Sequence, residues 1–312
     1  MKVYRSISEI DFNQNTIVTI GTFDGVHLGH QEIIDELIAR AEKANARSVL
    51  VTFDPHPREV VGRGPTKLLT SIDERLQLLA EFRIDVVFII NFTFEFSRLP
   101  YEEFFKNIIF EKIGVKEIIV GYDHMFGRDR EASIEQLKEL GIQLGFAVDM
   151  MPPVKVDNEV VSSSKIRDIL LRGDVCLAEK YLGRLFTVQG TVVKGDGRGR
   201  IIGFPTANLR PLSDKKLLPA EGVYFVSIKV DNSDYFGMLN IGVRPTFSND
   251  MRRVIEVHLF DFDEELYGKN VIINFHRRIR SEKKFASTDE LIIQLNKDKL
   301  CCENFIKELT KK

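Results

Sequence analysis

The sequence predicts an α/β doubly wound domain followed by a small antiparallel β-barrel domain and a C-terminal helix. Three observations carry that reading. Apolar runs rich in β-branched residues alternate with helix-period segments through the first half of the chain. Near Gly183 the texture changes to short strands separated by turn residues. A helix-period segment opening at Ser287 closes the chain.

The first-domain strands are TIVTI (16–20), RSVLVTF (47–53), DVVFIINF (85–92) and KEIIVGYD (116–123). Strands of this kind with helices between them form a parallel sheet covered on both faces. From Gln31 to Ala44 the spacing puts Ile33, Ile34, Leu37, Ile38 and Ala41 on one helical face. Another helix opens at Ser71, where Glu74 completes a capping-box pattern. A last helix is expected over Ser164 to Leu182, so the domains divide into 1–182 and 183–312. Five strands follow: FTVQGTVV (186–193), VYFVSIKV (223–230), YFGMLNIG (235–242), RVIEVHLF (253–260) and VIINFHRRI (271–279). Their spacing suits a small barrel, with no helix expected before Ser287 and a second capping box there from Glu290.

With 312 residues, 44% of them hydrophobic, the chain can bury two cores. A formal net charge of −2 argues against coating nucleic acid or an anionic membrane, so any phosphate site is local. Three cysteines, two of them adjacent at Cys301 and Cys302, offer neither a disulfide framework nor metal-ligand spacing. No stretch approaches the ~20 apolar residues of a membrane span, and MKVYRSISEIDF has no apolar leader core. The expected setting is cytoplasmic, with small-molecule partners, no membrane and no nucleic acid.

GTFDGVHLGHQ follows the first strand and opens the first helix, outside the carboxyl end of a parallel strand, where open α/β sheets bind ligands. Gly21, Gly25 and Gly29 let backbone approach a ligand, and the helix start offers N–H groups and positive dipole to a phosphate. His27 and His30 can share one face and donate to a phosphoryl group as its charge shifts. A lone H-x-x-H is more often a turn cap; the glycines and the strand-to-helix position favour a site. Neither GxGxxG nor GxxxxGK[ST] is present. SSSKIR (162–167) offers a second anion-binding end through Ser163, Ser164 and Arg167.

In the barrel half, GDGRGRIIGFPTANL places Gly195, Gly199 and Gly203 on a loop able to close over phosphates. Thr206 and Asn208 offer hard oxygen ligands to Mg²⁺. DFDEELYG (261–268) lacks the glycine and glutamate spacing of an EF-hand and reads as an acidic turn. RRIRSEKKF (277–285), without regular aromatic interleaving, reads as a solvated face.

These residues also resemble known families. HLGH within GTFDGVHLGHQ resembles the HxGH loop of the nucleotidyltransferase superfamily, and with TFDPHP (52–57), GYDHMFG (121–127) and SSSKIR it resembles the FMN adenylyltransferase branch. His124 stands where that branch has Phe, Ser164 where it has Thr, and Asp129 and Ala132 where it has glycines. GFPTANL, EGVYFV (221–226), LNIGVRPTF (239–247) and IEVHLFDFDEELYG (255–268) resemble the riboflavin kinase domain across nearly all of 183–312. Together the halves resemble the prokaryotic bifunctional riboflavin kinase/FMN adenylyltransferase family, also called FAD synthetase.

The resemblance implies phosphorylation of riboflavin to FMN by ATP in the barrel, then adenylylation of FMN to FAD with release of pyrophosphate in the α/β domain. Mg²⁺ is the implied cofactor, ATP the co-substrate, and riboflavin, FMN and FAD the substrates and products. It implies Glu256 as general base of the kinase, with His27, His30 and Arg167 acting in adenylyl transfer. Nucleotide and phosphate contacts fall to Gly21, Phe23, Asp24, Gly25, Gly29, Ser163, Ser164, Gly195, Gly199 and Gly203, and flavin contacts to Asp123, Asn240, Gly242 and Arg280. Two rivals are a riboflavin kinase with an inactive or repurposed first domain and a flavin-responsive regulatory protein. The net charge and the combined acid, metal-ligand and HxGH residues speak against the second.

Overall fold

A computed structural model of the chain describes residues 1–62, 66–122, 133–195, 198–231, 233–245 and 251–310. The chain divides into two compact units, Met1–Ser163 and Ser164–Lys312.

In the first unit, strands β1 (Lys2–Tyr4), β2 (Thr16–Ile20), β3 (Arg47–Asp54), β4 (Val86–Asn91), β5 (Glu117–Gly121) and β6 (Ala147–Met151) form one sheet in the order β1-β4-β3-β2-β5-β6. Every pairing is parallel. The four apolar runs are its central strands. The two additions are edges: β1 is three residues long, and β6 carries Asp149 at mid-strand, so neither shows the continuous apolar pattern of a strand buried on both faces.

Alternation sends Val18, Ile20, Val49 and Ile118 to one face, under Phe105, Ile109 and Ile113 of the π-helical segment Phe104–Ile113 and Leu137 of the helix Ile134–Leu144. Ile17, Leu50, Val87 and Ile119 face the other way, toward Ile34, Leu37 and Ala41 of the helix Leu28–Lys43 and Leu79 of the helix Ile72–Leu79. The sheet is therefore doubly wound. Ser71 and Glu74 cap Ile72–Leu79 reciprocally. From β2 the chain winds outward through β3 and β4, then returns to lay β5 on the opposite side of β2. Winding thus reverses at β2 and β5, and the crevice outside their carboxyl ends is the ligand position for this topology. A hairpin of β7 (Lys155–Val156) and β8 (Glu159–Val160) ends this unit.

The helix expected over Ser164 to Leu182 is two helices, Ser163–Leu171 and Val175–Leu182. Gly173, at φ +82°, stops the first, and the Asp174 carboxylate accepts from Leu177 N to start the second. Both pack with the barrel: Ala220 N donates to Leu170 O, and Cys176 Sγ lies 3.3 Å from His276 O.

The barrel is closed and antiparallel, with six strands rather than five: β9 (Phe186–Val193), β10 (Ala207–Pro211), β11 (Gly222–Val230), β12 (Ser233–Pro245), β13 (Met251–Leu259) and β14 (Asn270–Arg280), in the order β10-β13-β12-β11-β14-β9. The extra strand, ANLRP, hides in the sequence because arginine and proline break its alternation. A short helix, Arg198–Ile201, also stands where none was expected. The terminal helix Thr288–Leu309 lies over one outer face, with Cys302 clustered among Phe204, Val223, Phe225, Met238 and Phe260. Only half of its capping box forms. Ser287 Oγ accepts from Glu290 N, but the Glu290 carboxylate accepts from Ala286 N, one residue earlier than the reciprocal bond requires.

That helix is pinned by an ion pair: Asp298, 2% exposed, accepts from Arg280 Nε and Nη2 at 2.8–3.1 Å and from Gln294 Nε2 at 2.8 Å. Asp298→Ala leaves the Arg280 guanidinium without its counter-ion, and an expected loss of about 3 kcal/mol is read from chemical unfolding of the full chain.

Candidate functional site

Each unit carries its own constellation. In the first, β2 ends at Ile20 and the chain turns through GTFDGVHLGH. Phe23, Gly25 and Val26 take φ of +48°, +86° and +37°, a tight reversal that costs the two non-glycine residues backbone strain. A Cβ on Gly25 would sit 2.7 Å from Leu69 Cδ1, so the position admits only glycine. Phe23 is 1% exposed and serves the core.

Asp24 is fully buried, and its carboxylate accepts from Leu69 N, Thr70 N and Thr70 Oγ1 at 3.0–3.2 Å. Thr70 Oγ1 also accepts from Gly25 N at 2.9 Å. The loop before Ile72–Leu79 therefore holds this turn from below. Ser163 Oγ, at the end of this unit, donates to Asp24 O at 2.9 Å. Ser164 and Arg167, on the helix Ser163–Leu171, belong to the second unit.

His27 caps the helix Leu28–Lys43, its Nδ1 accepting from His30 N at 3.3 Å. The two rings stack with centroids 3.6 Å apart, and Phe23 tilts against His30 at 5.1 Å. The bond that starts the helix thus also fixes the two rings. Gly29 backs onto the His27 ring, where a Cβ would stand 3.2 Å from Cε1. Gly21 N donates to Val51 O, closing the carboxyl end of β2 against β3.

Beneath this turn lies a residue that sequence reasoning missed. Arg75 is 1% exposed, and its Nη1 donates to Thr52 Oγ1 at 3.1 Å and Phe53 O at 3.2 Å, while Thr52 Oγ1 donates to Thr22 O at 3.1 Å. Burial holds the guanidinium below its ordinary range, opposed by the charges of Asp24 and then Asp54. A signal was present: Ile72, Arg75 and Leu79 share one helical stripe, and a cation in an apolar stripe needs a buried partner.

In the barrel, register assembles the second constellation. Asn208 of β10 lies opposite Glu256 of β13, and Glu256 lies opposite Asn240 of β12. Directly opposed residues share a face, so these three form a row across adjacent strands. Their chain neighbours Leu209, Ile255, Val257, Leu239 and Ile241 are all buried on the other face. Asn208 is itself 9% exposed, and Glu256 is half-buried. A Cβ on Gly195 would overlap the Asn208 amide, and one on Gly199 would stand 3.2 Å from Thr206 Oγ1. The backbone at Gly195 and Gly199 therefore approaches both side chains directly.

Gly203, at φ +82°, faces open space, and a Cβ on Gly242 would strike the Glu282 carboxylate and lie 3.2 Å from Asn240 Nδ2. Arg280 continues the same row through Val223, which opposes both Asn240 and Arg280, but its guanidinium is committed to Asp298. Asp123, with His124, Asp129 and Ala132, lies outside the described residues. Among the described residues no group of three or more His, Cys, Asp or Glu is placed to hold a metal ion, and the 261–268 segment forms no such cluster.

Comparison with known proteins covers both constellations. A family model described as FAD synthetase matches residues 9–165, and one described as riboflavin kinase matches residues 182–306. Bifunctional riboflavin kinase/FMN adenylyltransferases are among the relatives: that of Buchnera aphidicola subsp. Schizaphis graminum is 39% identical over 304 residues, covering 96% of each chain. That of Escherichia coli K12 is 35% identical over 310 residues, covering 98% of each. A crystal structure from Streptococcus pneumoniae, named a macrolide-efflux protein, superposes with a TM-score of 0.87 at 32% identity, covering 97% of this chain and 98% of that one. Its name stands apart from those of the family models and relatives, which agree with one another; among the described residues no helix is long and apolar enough to cross a membrane.

The Arg75 network yields a prediction for the first unit. Arg75→Met removes two hydrogen bonds and the positive charge facing Asp24 and Asp54, with an expected cost of about 3 kcal/mol in chemical unfolding. Adding Asp24→Asn recovers part of that loss, because the buried carboxylate charge goes with its partner. A double variant no more stable than Arg75→Met would show that charge is not what Arg75 supplies.

Proposed function

The chain belongs to the bifunctional riboflavin kinase/FMN adenylyltransferase family, and on that premise we propose which of its residues carry each reaction. In FAD biosynthesis it phosphorylates riboflavin to FMN and adenylylates FMN to FAD. The observation that carries the residue assignment is the row Asn208–Glu256–Asn240, beside a glycine loop that presses on both Thr206 and Asn208.

For the kinase, Glu256 accepts the proton of the riboflavin primary hydroxyl as that oxygen attacks the γ-phosphorus of ATP, with ADP leaving. Thr206 and Asn208 fit Mg²⁺: both offer neutral oxygens, and an ion that keeps waters and takes substrate phosphate oxygens needs no cage of protein carboxylates. When bound, it neutralises charge on the β- and γ-phosphates. Gly195, Gly199 and Gly203 bring backbone to those phosphates, and Asn240 and Gly242 contact the flavin. Arg280 contributes through Asp298, by holding the terminal helix against this end of the barrel.

For adenylyl transfer, an FMN phosphate oxygen attacks the α-phosphorus of ATP and pyrophosphate leaves. His30 donates to the α-phosphate as charge builds there, and His27 holds it in place through the ring stack and the cap. Gly21, Gly25 and Gly29 let the turn backbone approach the nucleotide, whereas Phe23 and Asp24 act from inside, by fixing that turn. Ser164 and Arg167 bind a second phosphate. We place the division of activities at 182/183, one residue after the start of the kinase family match at 182, and the protein in the cytoplasm, where three free thiols and nucleotide substrates are at home.

Glu256→Gln is expected to slow riboflavin phosphorylation ~10²–10⁴-fold, while FAD formation from supplied FMN continues. Near-normal kinase turnover removes the base assignment. His30→Ala is expected to let FMN accumulate, since losing one donor to the transition state costs ~3 kcal/mol. Chromatography of the flavins after incubation with riboflavin, ATP and Mg²⁺ reads both variants, and undiminished FAD from His30→Ala excludes the HxGH assignment.

A further inference from the structure

His258 lies two residues beyond Glu256 on β13 and therefore on the same face, yet nothing above gives it a part in the reaction. Its Nδ1 is 2.8 Å from the carbonyl oxygen of Pro205, the residue that precedes Thr206. A carbonyl can only accept, so the ring is protonated at Nδ1 and donates. Burial holds His258 below the usual imidazole range; the bond to Pro205 opposes that shift, and Lys299 adds to it. The ring is boxed by Phe204 at 5.3 Å and Phe260 at 5.7 Å, both edge-on. A rigid ring on a rigid strand thus grips the main chain at the point where the glycine loop becomes β10.

This grip acts where the ladder does not. The pairing of β10 with β13 begins at Ala207 opposite Val257, so Asn208 is fixed by the sheet but Thr206 lies one residue outside it. Pro205 has no N–H to contribute. The bond from His258 ties this approach to β13, the strand that carries Glu256.

We propose that His258 is a positioning residue of the kinase site, holding Pro205 so that Thr206 stands in register with Asn208 and Glu256 to receive the Mg·ATP complex. The proposal rests on Thr206 and Asn208 being the metal-nucleotide ligands and Glu256 the base. Its chemistry is separable: the ring supplies packing, and Nδ1–H supplies the bond. His258→Phe keeps the packing and deletes the donor; His258→Asn keeps a donor near the Nδ1 position and deletes the ring; His258→Gln moves the donor one bond outward.

Steady-state kinase assays of the full-length chain, varying Mg·ATP at saturating riboflavin, separate these effects. His258→Phe should raise the KM for Mg·ATP about 5- to 10-fold, the range expected for one partly buried hydrogen bond. His258→Asn should stay within about 3-fold of the parent, with His258→Gln resembling Phe, and all three should form FAD from supplied FMN at the parent rate. A merely structural role would lower the active fraction, and hence kcat, at unchanged KM. An unchanged KM in His258→Phe, or equal losses in Phe and Asn, overturns the proposal. Glu256→Gln run alongside keeps the outcomes distinct. If that variant turns over normally, the site assignment fails; if it is inactive while His258→Phe keeps the parent KM, the positioning role alone is wrong.

Discussion

The register of β13 between β10 and β12 is the constraint on which the kinase half depends. Side chains alternate along a strand, so a slip of one residue would turn Glu256 into the barrel and Ile255 or Val257 out of it. Those two are 2% and 1% exposed as the barrel stands. An unpaired carboxylate in that interior would cost several kcal/mol, and exposing either aliphatic chain would forfeit about 2 kcal/mol more. Both penalties act in the same direction, and closure of the barrel leaves no edge at which the strand could shift. The row Asn208–Glu256–Asn240 is therefore positioned by the cost of every other register.

The α/β half solves its positioning problem differently. Its ligand position follows from the reversal of winding at β2 and β5, but the turn placed there is held by buried polar groups rather than by a ladder. Asp24 takes its hydrogen bonds from Leu69 and Thr70, and Arg75 reaches Thr52 and Phe53, so three separate segments converge under one strained reversal. Such strain persists only where surrounding structure over-determines it. The stacked histidines emerge directly above this base, with the first turn of the helix as their frame.

Much of this was legible in the sequence, for reasons that can be named. Strands β2 to β5 announce themselves because burial on both faces demands unbroken apolar runs, and the Ser71–Glu74 box forms as its spacing requires. What escaped was of two kinds. Edge and interrupted elements lack a pattern: β1 is too short, β6 carries Asp149, β10 contains Arg210 and Pro211, and Gly173 splits a helix whose apolar spacing reads as continuous. Long-range partners leave no local trace: nothing in TANL or IEVHL states that Asn208 faces Glu256, or that His258 meets Pro205. Arg75 lies between these cases, visible as a cation within an apolar stripe, though its partners are found only in the fold.

Two sites in one chain means two different phosphorus atoms of ATP end in the product. Feeding riboflavin with ATP labelled at either the α- or the γ-phosphate tests this most directly. The account predicts γ-label in FMN and FAD alike, α-label in FAD alone, and, for the Glu256→Gln chain supplied with unlabelled FMN, α-label in FAD with no γ-label in either flavin. Label from the α-phosphate in FMN, or loss of α-label from FAD in Glu256→Gln, would contradict it.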